Sequence, residues 1–178
     1  MGPEAGLAIM LDHVRALPAQ LEGAARLPGL ERLRPPAQPV RDVLVCGMGG
    51  SAIAGDLLAP VAERAGVRLA VRREPGLPGW LDERTLLVFS SYSGRSDETL
   101  AAARAAAGRP NPRLAITTGG PLGELADGRA DPFPRISLPP GLPPRAALGP
   151  SLGALACALD RFGAVPGLAA ELPAAAAT

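Results

Sequence analysis

Ser90, Ser91, Ser93 and Ser96 fall within seven positions in the stretch SSYSGRSDET, residues 90–99, directly after an apolar run. Four hydroxyls at a strand end, with Gly94 among them to permit a tight turn, suit the holding of a phosphate monoester. Hydroxyls and unpaired backbone N–H groups at a helix N-terminus stabilise such an anion without a full cationic charge, because the helix dipole favours it. One or two of these serines are expected to cap the helix that follows, with Asp97 and Glu98 as its first-turn acids. Four exceed what capping requires.

Three other stretches have related chemistry. GMGGSAIAGD, residues 47–56, follows the apolar run Val43 to Cys46 and precedes a segment rich in Ala and Leu, so its glycines sit on a strand-to-helix turn. TTGG, residues 117–120, repeats the small, hydroxylated character and is expected to line the same crevice. In LPPRAALG, residues 142–149, Pro144 fits a first helical position and puts Arg145 in the first turn, where a cation is disfavoured by roughly 0.3–1 kcal/mol. A bound anion or a set of sugar hydroxyls would offset that cost.

Gly47 to Ala52 also fits the loose dinucleotide pattern G-x-G-x-x-A. A dinucleotide site calls for an acidic residue at the end of the second strand, and that strand ends in Arg72 and Arg73. Two arginines there would suit a 2′-phosphate, so an NADP-binding domain stands as a minor alternative, and a glycine turn of packing value only as another. Asp56, Glu98 and Glu124 are the carboxylates near the expected crevice, each with a plainer role in a helix or cap. His13 reads as a partly exposed helix residue. Cys46 and Cys157 lie far apart in apolar segments and give neither a disulfide framework nor metal-ligand spacing. No metal and no cofactor is expected.

The positioning elements follow from the apolar pattern. Short runs at Val43–Cys46, Val67–Val71, Leu86–Ser90, Leu114–Thr117 and Ile136–Leu138 alternate with helical segments from Ser51 to about Arg64, from about Ser96 to Ala107, and from about Arg145 to Phe162. Runs apolar on both faces, alternating with helices, predict an α/β fold: a parallel sheet of about five strands covered on both sides. Residues 4–27 show a helical stripe of Leu7, Met10, Leu11, Val14, Leu17 and Leu21, interrupted at Pro18. RLRPPAQPV, residues 32–40, reads as a stiff connector. The expected organisation is an N-terminal helical segment and connector over 1–39, one α/β domain over 40–165, and the start of a linker or tail over 166–178.

At 178 residues the chain is long enough for one full core, or for one domain of a larger enzyme. Eighteen basic residues, all Arg, against seventeen acidic ones give no footprint for nucleic acid. No apolar run approaches the ~20 residues needed to cross a bilayer, and the N-terminus lacks a basic stretch leading into an apolar one. A cytoplasmic location is expected.

VCGMGGSAIAGDLLA, SSYSGRSDETL, ITTGG and PPRAALG, in this order and at comparable spacing, resemble the N-terminal half of the bifunctional phosphoglucose/phosphomannose isomerases, a branch of the sugar isomerase (SIS) domain superfamily. The resemblance covers about residues 40–165, and the four motifs together are specific where any one would not be. It implies a five-stranded three-layer α/β sandwich that binds a hexose 6-phosphate at its strand ends. By position it implies substrate contacts from Gly50 and Ser51, from Ser91, Ser93 and Ser96, and from Arg145. The chain departs from the family in having Arg95-Ser96 where Asn-Thr is common, and in lacking the second SIS domain that supplies a catalytic Glu, His and Lys. It has no Lys at all. The expectation is therefore the substrate-binding half of an aldose–ketose isomerase, with no catalytic residue of its own, completed by a second SIS domain or working in a homodimer. A non-catalytic sugar-phosphate-binding module is the alternative.

Overall fold

The computed structural model describes residues 3–177. The five apolar runs form β1 (Asp42–Gly47), β2 (Arg68–Arg72), β3 (Thr85–Ser90), β4 (Arg113–Thr117) and β5 (Arg135–Ser137). They pair in the order β2-β1-β3-β4-β5, all parallel, with Val43 opposite both Leu69 and Leu86. Between and around them run α1 (Pro3–Arg15), α2 (Leu17–Gly23), α3 (Gly49–Arg64), α4 (Asp97–Ala105), α5 (Gly120–Ala126), α6 (Leu148–Arg161) and α7 (Leu168–Ala176).

The expected three-layer sandwich is present, and the two-residue period of the strands builds it. Val43, Val45, Leu86, Val88, Leu114 and Ile116 project to one face, where α2, α3, α6 and α7 cover them. Leu44, Cys46, Leu87, Phe89 and Ala115 project to the other, beneath α4 and α5. None of the described helices is long and apolar enough to cross a membrane.

The N-terminal stripe is realised only in part. α1 ends at Arg15, and Pro18 sits in the first turn of α2, where its missing N–H costs nothing, so the break comes before the proline. Leu21 is buried, whereas Leu11 and Val14 are 44% and 61% exposed; the side chain of Leu7 lies outside the described residues. Residues 33–41 form no helix or strand, but Leu33 and Val40 at the two ends of the proline-rich stretch are buried in the core. Two helices were not expected. α5 buries Leu122 and Ala126 on the α4 face, and α7 buries Leu168 and Leu172, one helical turn apart, on the other.

Candidate functional site

In the strand order 2-1-3-4-5 the chain reverses direction across the sheet between β1 and β3, so α3 and α4 leave those strands toward opposite faces. That reversal opens a crevice beyond the carboxyl ends of the two strands, the place where open α/β sheets hold ligands. Here the crevice has a volume of about 360 Å³. Its walls are the first turn of α3 (Gly49 to Ser51), the loop after β3 (Ser91 to Ser93, with Ser96) and the turn at Pro144 and Arg145. Gly50, Ser51, Ser91, Ser93, Ser96 and Arg145 are thus brought together from three stretches of chain.

The hydroxyls bond across the loops. Ser51 Oγ accepts the N–H of Tyr92 at 3.2 Å, tying the first loop to the second. Ser91, only 2% exposed, shares a hydrogen bond with Ser96, Oγ to Oγ, at 3.0 Å. Ser93 is exposed, and its Oγ accepts the Arg95 N–H at 3.3 Å; Ser90 is the last residue of β3. The expectation that one or two serines cap α4 is corrected by these bonds. Ser96 is its N-cap residue, yet the hydroxyl is engaged by Ser91, and no side chain caps either α4 or α3. Two helix N-termini therefore border the crevice with no side-chain oxygen on their free N–H groups, an arrangement that favours an anion.

Arg145 lies in a different local structure from the one expected. Pro144 to Ala146 form a single 3-10 turn and α6 begins at Leu148, so the guanidinium precedes the helix rather than occupying its first turn. Consecutive prolines at 143 and 144 hold this segment extended before it can enter a helix. The side chain is exposed and makes no hydrogen bond or ion pair within the described residues. Gly50 allows the segment to come this close: a Cβ there would sit 3.2 Å from the Pro144 carbonyl oxygen.

Residues 117–120 do not line the crevice, contrary to expectation; they support the second loop from behind. Thr118 donates its N–H and its Oγ1 to the Tyr92 carbonyl at 3.0 and 2.8 Å. Gly94, at φ +67°, lies so close that a Cβ would overlap the Gly119 carbonyl oxygen. The strand-end position was right, but the loop's hydroxyls are consumed in bonds to the backbone.

Asp56, Glu98 and Glu124 also lie outside the crevice walls. Asp56 forms an ion pair with Arg73 on the outer side of α3, and Glu124 borders a separate hollow near Phe133. His13 is half-buried on α1. Arg72 is committed to the carbonyls of Pro75 and Gly76, at 3.0 and 2.9 Å, so the second strand offers no free arginine pair for a 2′-phosphate. Burial pushes the Cys46 thiol up to about 12, which keeps it a protonated core residue, and Cys157 is buried and raised as well. Among the described residues no group of three or more His, Cys, Asp or Glu is placed to hold a metal.

No protein-family model matches the chain. A bifunctional phosphoglucose/phosphomannose isomerase of Caldicellulosiruptor bescii is 40% identical over 141 residues, which are 79% of this chain and 41% of that protein. The chain is a homologue of the bifunctional phosphoglucose/phosphomannose isomerases. It spans about two fifths of the length of that relative. In fold it matches the C-terminal domain of a glucosamine-fructose-6-phosphate aminotransferase from Francisella tularensis, with TM-score 0.66 at 18% identity over 94% of this chain and 54% of that one. The Vibrio vulnificus NanR protein complexed with ManNAc-6P matches with TM-score 0.60 at 18% identity, over 98% of this chain and 70% of that one. In this phosphoglucose/phosphomannose isomerase homologue the crevice also takes in Met48, Gly49, Tyr92 and Pro144, which the sequence does not single out as contacts. The one signal for Tyr92 in the sequence is an aromatic ring set between serines.

Proposed function

We propose that the chain binds a hexose 6-phosphate in this crevice, as the substrate-binding part of an isomerase that interconverts glucose 6-phosphate or mannose 6-phosphate with fructose 6-phosphate. The observation that carries the reading is the crevice wall itself. Two helix N-termini without side-chain caps, a set of serine hydroxyls and one guanidinium with no partner among the described residues meet at the switch point of the sheet. Gly50, Ser51, Ser91, Ser93 and Ser96 are the contacts for the phosphate and the sugar, and Arg145 closes over them. Homology to the isomerases, and a matching fold in a protein complexed with a sugar phosphate, support the substrate class.

Among the described residues no carboxylate or imidazole borders the crevice, so the proton-transferring groups come from a second SIS domain or from another copy in a homodimer. The sugar-binding body is residues 40–165, working in the cytoplasm. The same lack of a base favours a second reading, a non-catalytic sugar-phosphate-binding module.

A thermal-shift panel tests the binding. Glucose 6-phosphate, mannose 6-phosphate or fructose 6-phosphate at a hundredfold excess over its Kd stabilises the fold by about 2.7 kcal/mol, raising Tm by roughly 5–10 °C. Stabilisation by NADP with none from the sugar phosphates overturns the proposal. Ser93→Ala is expected to weaken glucose 6-phosphate binding by ~10–100-fold, the loss of a hydrogen bond to a charged group, with circular dichroism unchanged because this hydroxyl faces solvent. Unchanged affinity would assign Ser93 to its bond with Arg95 alone.

A further inference from the structure

Tyr92 stands in the middle of the second loop, and its polar groups reach three other parts of the site. Its N–H donates to Ser51 and its carbonyl accepts from Thr118. Its hydroxyl crosses to a segment 47 to 50 residues further along the chain, donating to the Pro139 carbonyl at 2.8 Å and accepting the Leu142 N–H at 2.8 Å.

Those two partners are the first and last residues of the turn Pro139-Pro140-Gly141-Leu142. Proline followed by glycine, with Gly141 at φ +92°, is the pair that a type II turn takes at its centre. Such a turn commonly closes with a bond from the fourth N–H to the first carbonyl. Here both groups are bonded to the phenol instead, so the Tyr92 hydroxyl stands in for the turn's own closing bond. Pro143 and Pro144 come next, each with a fixed φ, and then Arg145. A stiff segment of this kind transmits the position of Leu142 to Arg145, whose side chain has no hydrogen-bond or ion-pair partner among the described residues.

We propose that Tyr92 is a positioning residue: by bridging the 139–142 turn, its hydroxyl sets where Arg145 stands at the crevice and so how tightly the anionic ligand is held. The proposal rests on the sugar-phosphate reading above. Removing the hydroxyl leaves the turn able to close on itself, so the fold survives while the anchorage of the turn to the second loop is lost.

The test is a double-mutant cycle read by isothermal titration with glucose 6-phosphate, together with ¹⁵N relaxation of the Arg145 Nε in the free protein. Arg145→Gln weakens binding by ~10–100-fold. Tyr92→Phe weakens it by ~3–10-fold in the parent chain and by less than about twofold once Arg145 is Gln, because the two act through one contact. In the free Tyr92→Phe protein the Arg145 Nε becomes more mobile. Unchanged affinity in Tyr92→Phe, the same loss in both backgrounds, unaltered Arg145 relaxation, or loss of the folded state overturns the inference. If instead the parent chain does not bind glucose 6-phosphate, or Arg145→Gln costs nothing, the sugar-phosphate reading fails, and the relaxation arm still decides whether Tyr92 positions Arg145.

Discussion

Supplied with glucose 6-phosphate, the purified chain alone is expected to form fructose 6-phosphate at a rate at least ~10⁴-fold below that of an ordinary enzyme. Interconverting the two requires opening the ring and moving a proton between C1 and C2 through an enediol. A base near neutral pKa must therefore come within hydrogen-bond reach of those carbons. The crevice presents serine hydroxyls, backbone N–H groups, one guanidinium and the Tyr92 phenol, which is engaged by Pro139 and Leu142, and none of these is a base near neutral pKa. Each missing acid–base role costs ~10²–10⁴-fold, and at least two are missing. Adding in trans a protein that supplies a second SIS domain with Glu, His and Lys is expected to restore turnover. No restoration would favour the non-catalytic module. Turnover by the chain alone at ordinary rates would contradict the assignment, and Glu98→Gln and Asp56→Asn would then be the first variants to compare.

Gly94→Ala should be among the most damaging single changes. Its φ of +67° disfavours any residue with a Cβ by roughly 1–2 kcal/mol. The added methyl would also overlap the backbone oxygen of Gly119 and lie 3.0 Å from Thr117 Oγ1, so the second and third loops must separate. That separation strains the Leu122 N–H bond to the Gly94 carbonyl at 3.0 Å and the Thr118 contacts with Tyr92. A total loss of about 2–4 kcal/mol and a Tm lower by roughly 5–15 °C are expected, with little sugar-phosphate shift remaining. Gly108→Ala is the control, since Gly108 has φ +70° with nothing near its Cβ position. If the two variants melt together, backbone conformation alone explains the effect and the loop contact contributes nothing.

How far the sequence could be read varied with the range of the interaction involved. β1 and β3 are apolar on both faces, so the local pattern shows a buried parallel strand directly. The crevice residues were legible because hydroxyls and glycines are concentrated in two short stretches directly after apolar strands. α5 was not: Gly120, Pro121 and Gly123 make seven residues of poor intrinsic helix former, held by the burial of Leu122 and Ala126. Pro173 likewise disguised α7, whose helix is supported by Leu168 and Leu172 packing into the core. Arg145 was found for a reason that the structure revised, since a proline pair keeps it out of the helix. The bond from Tyr92 to the 139–142 turn leaves no local pattern, because it joins residues far apart in the chain.

The two faces of the sheet draw on different lengths of the chain. The layer under α4 and α5 is assembled from residues between Leu44 and Phe133. The opposite layer needs Leu21 of α2 and Leu172 of α7, almost the full span of the polypeptide, in contact through the same core. During synthesis, a chain that has left the ribosome only as far as Phe133 can close one face, while on the other α2 and α3 are present and α6 and α7 are still missing from the layer over Val43, Val45, Leu86 and Val88. That layer is therefore completed last, when α6 and α7 supply Leu155, Leu159, Leu168 and Leu172.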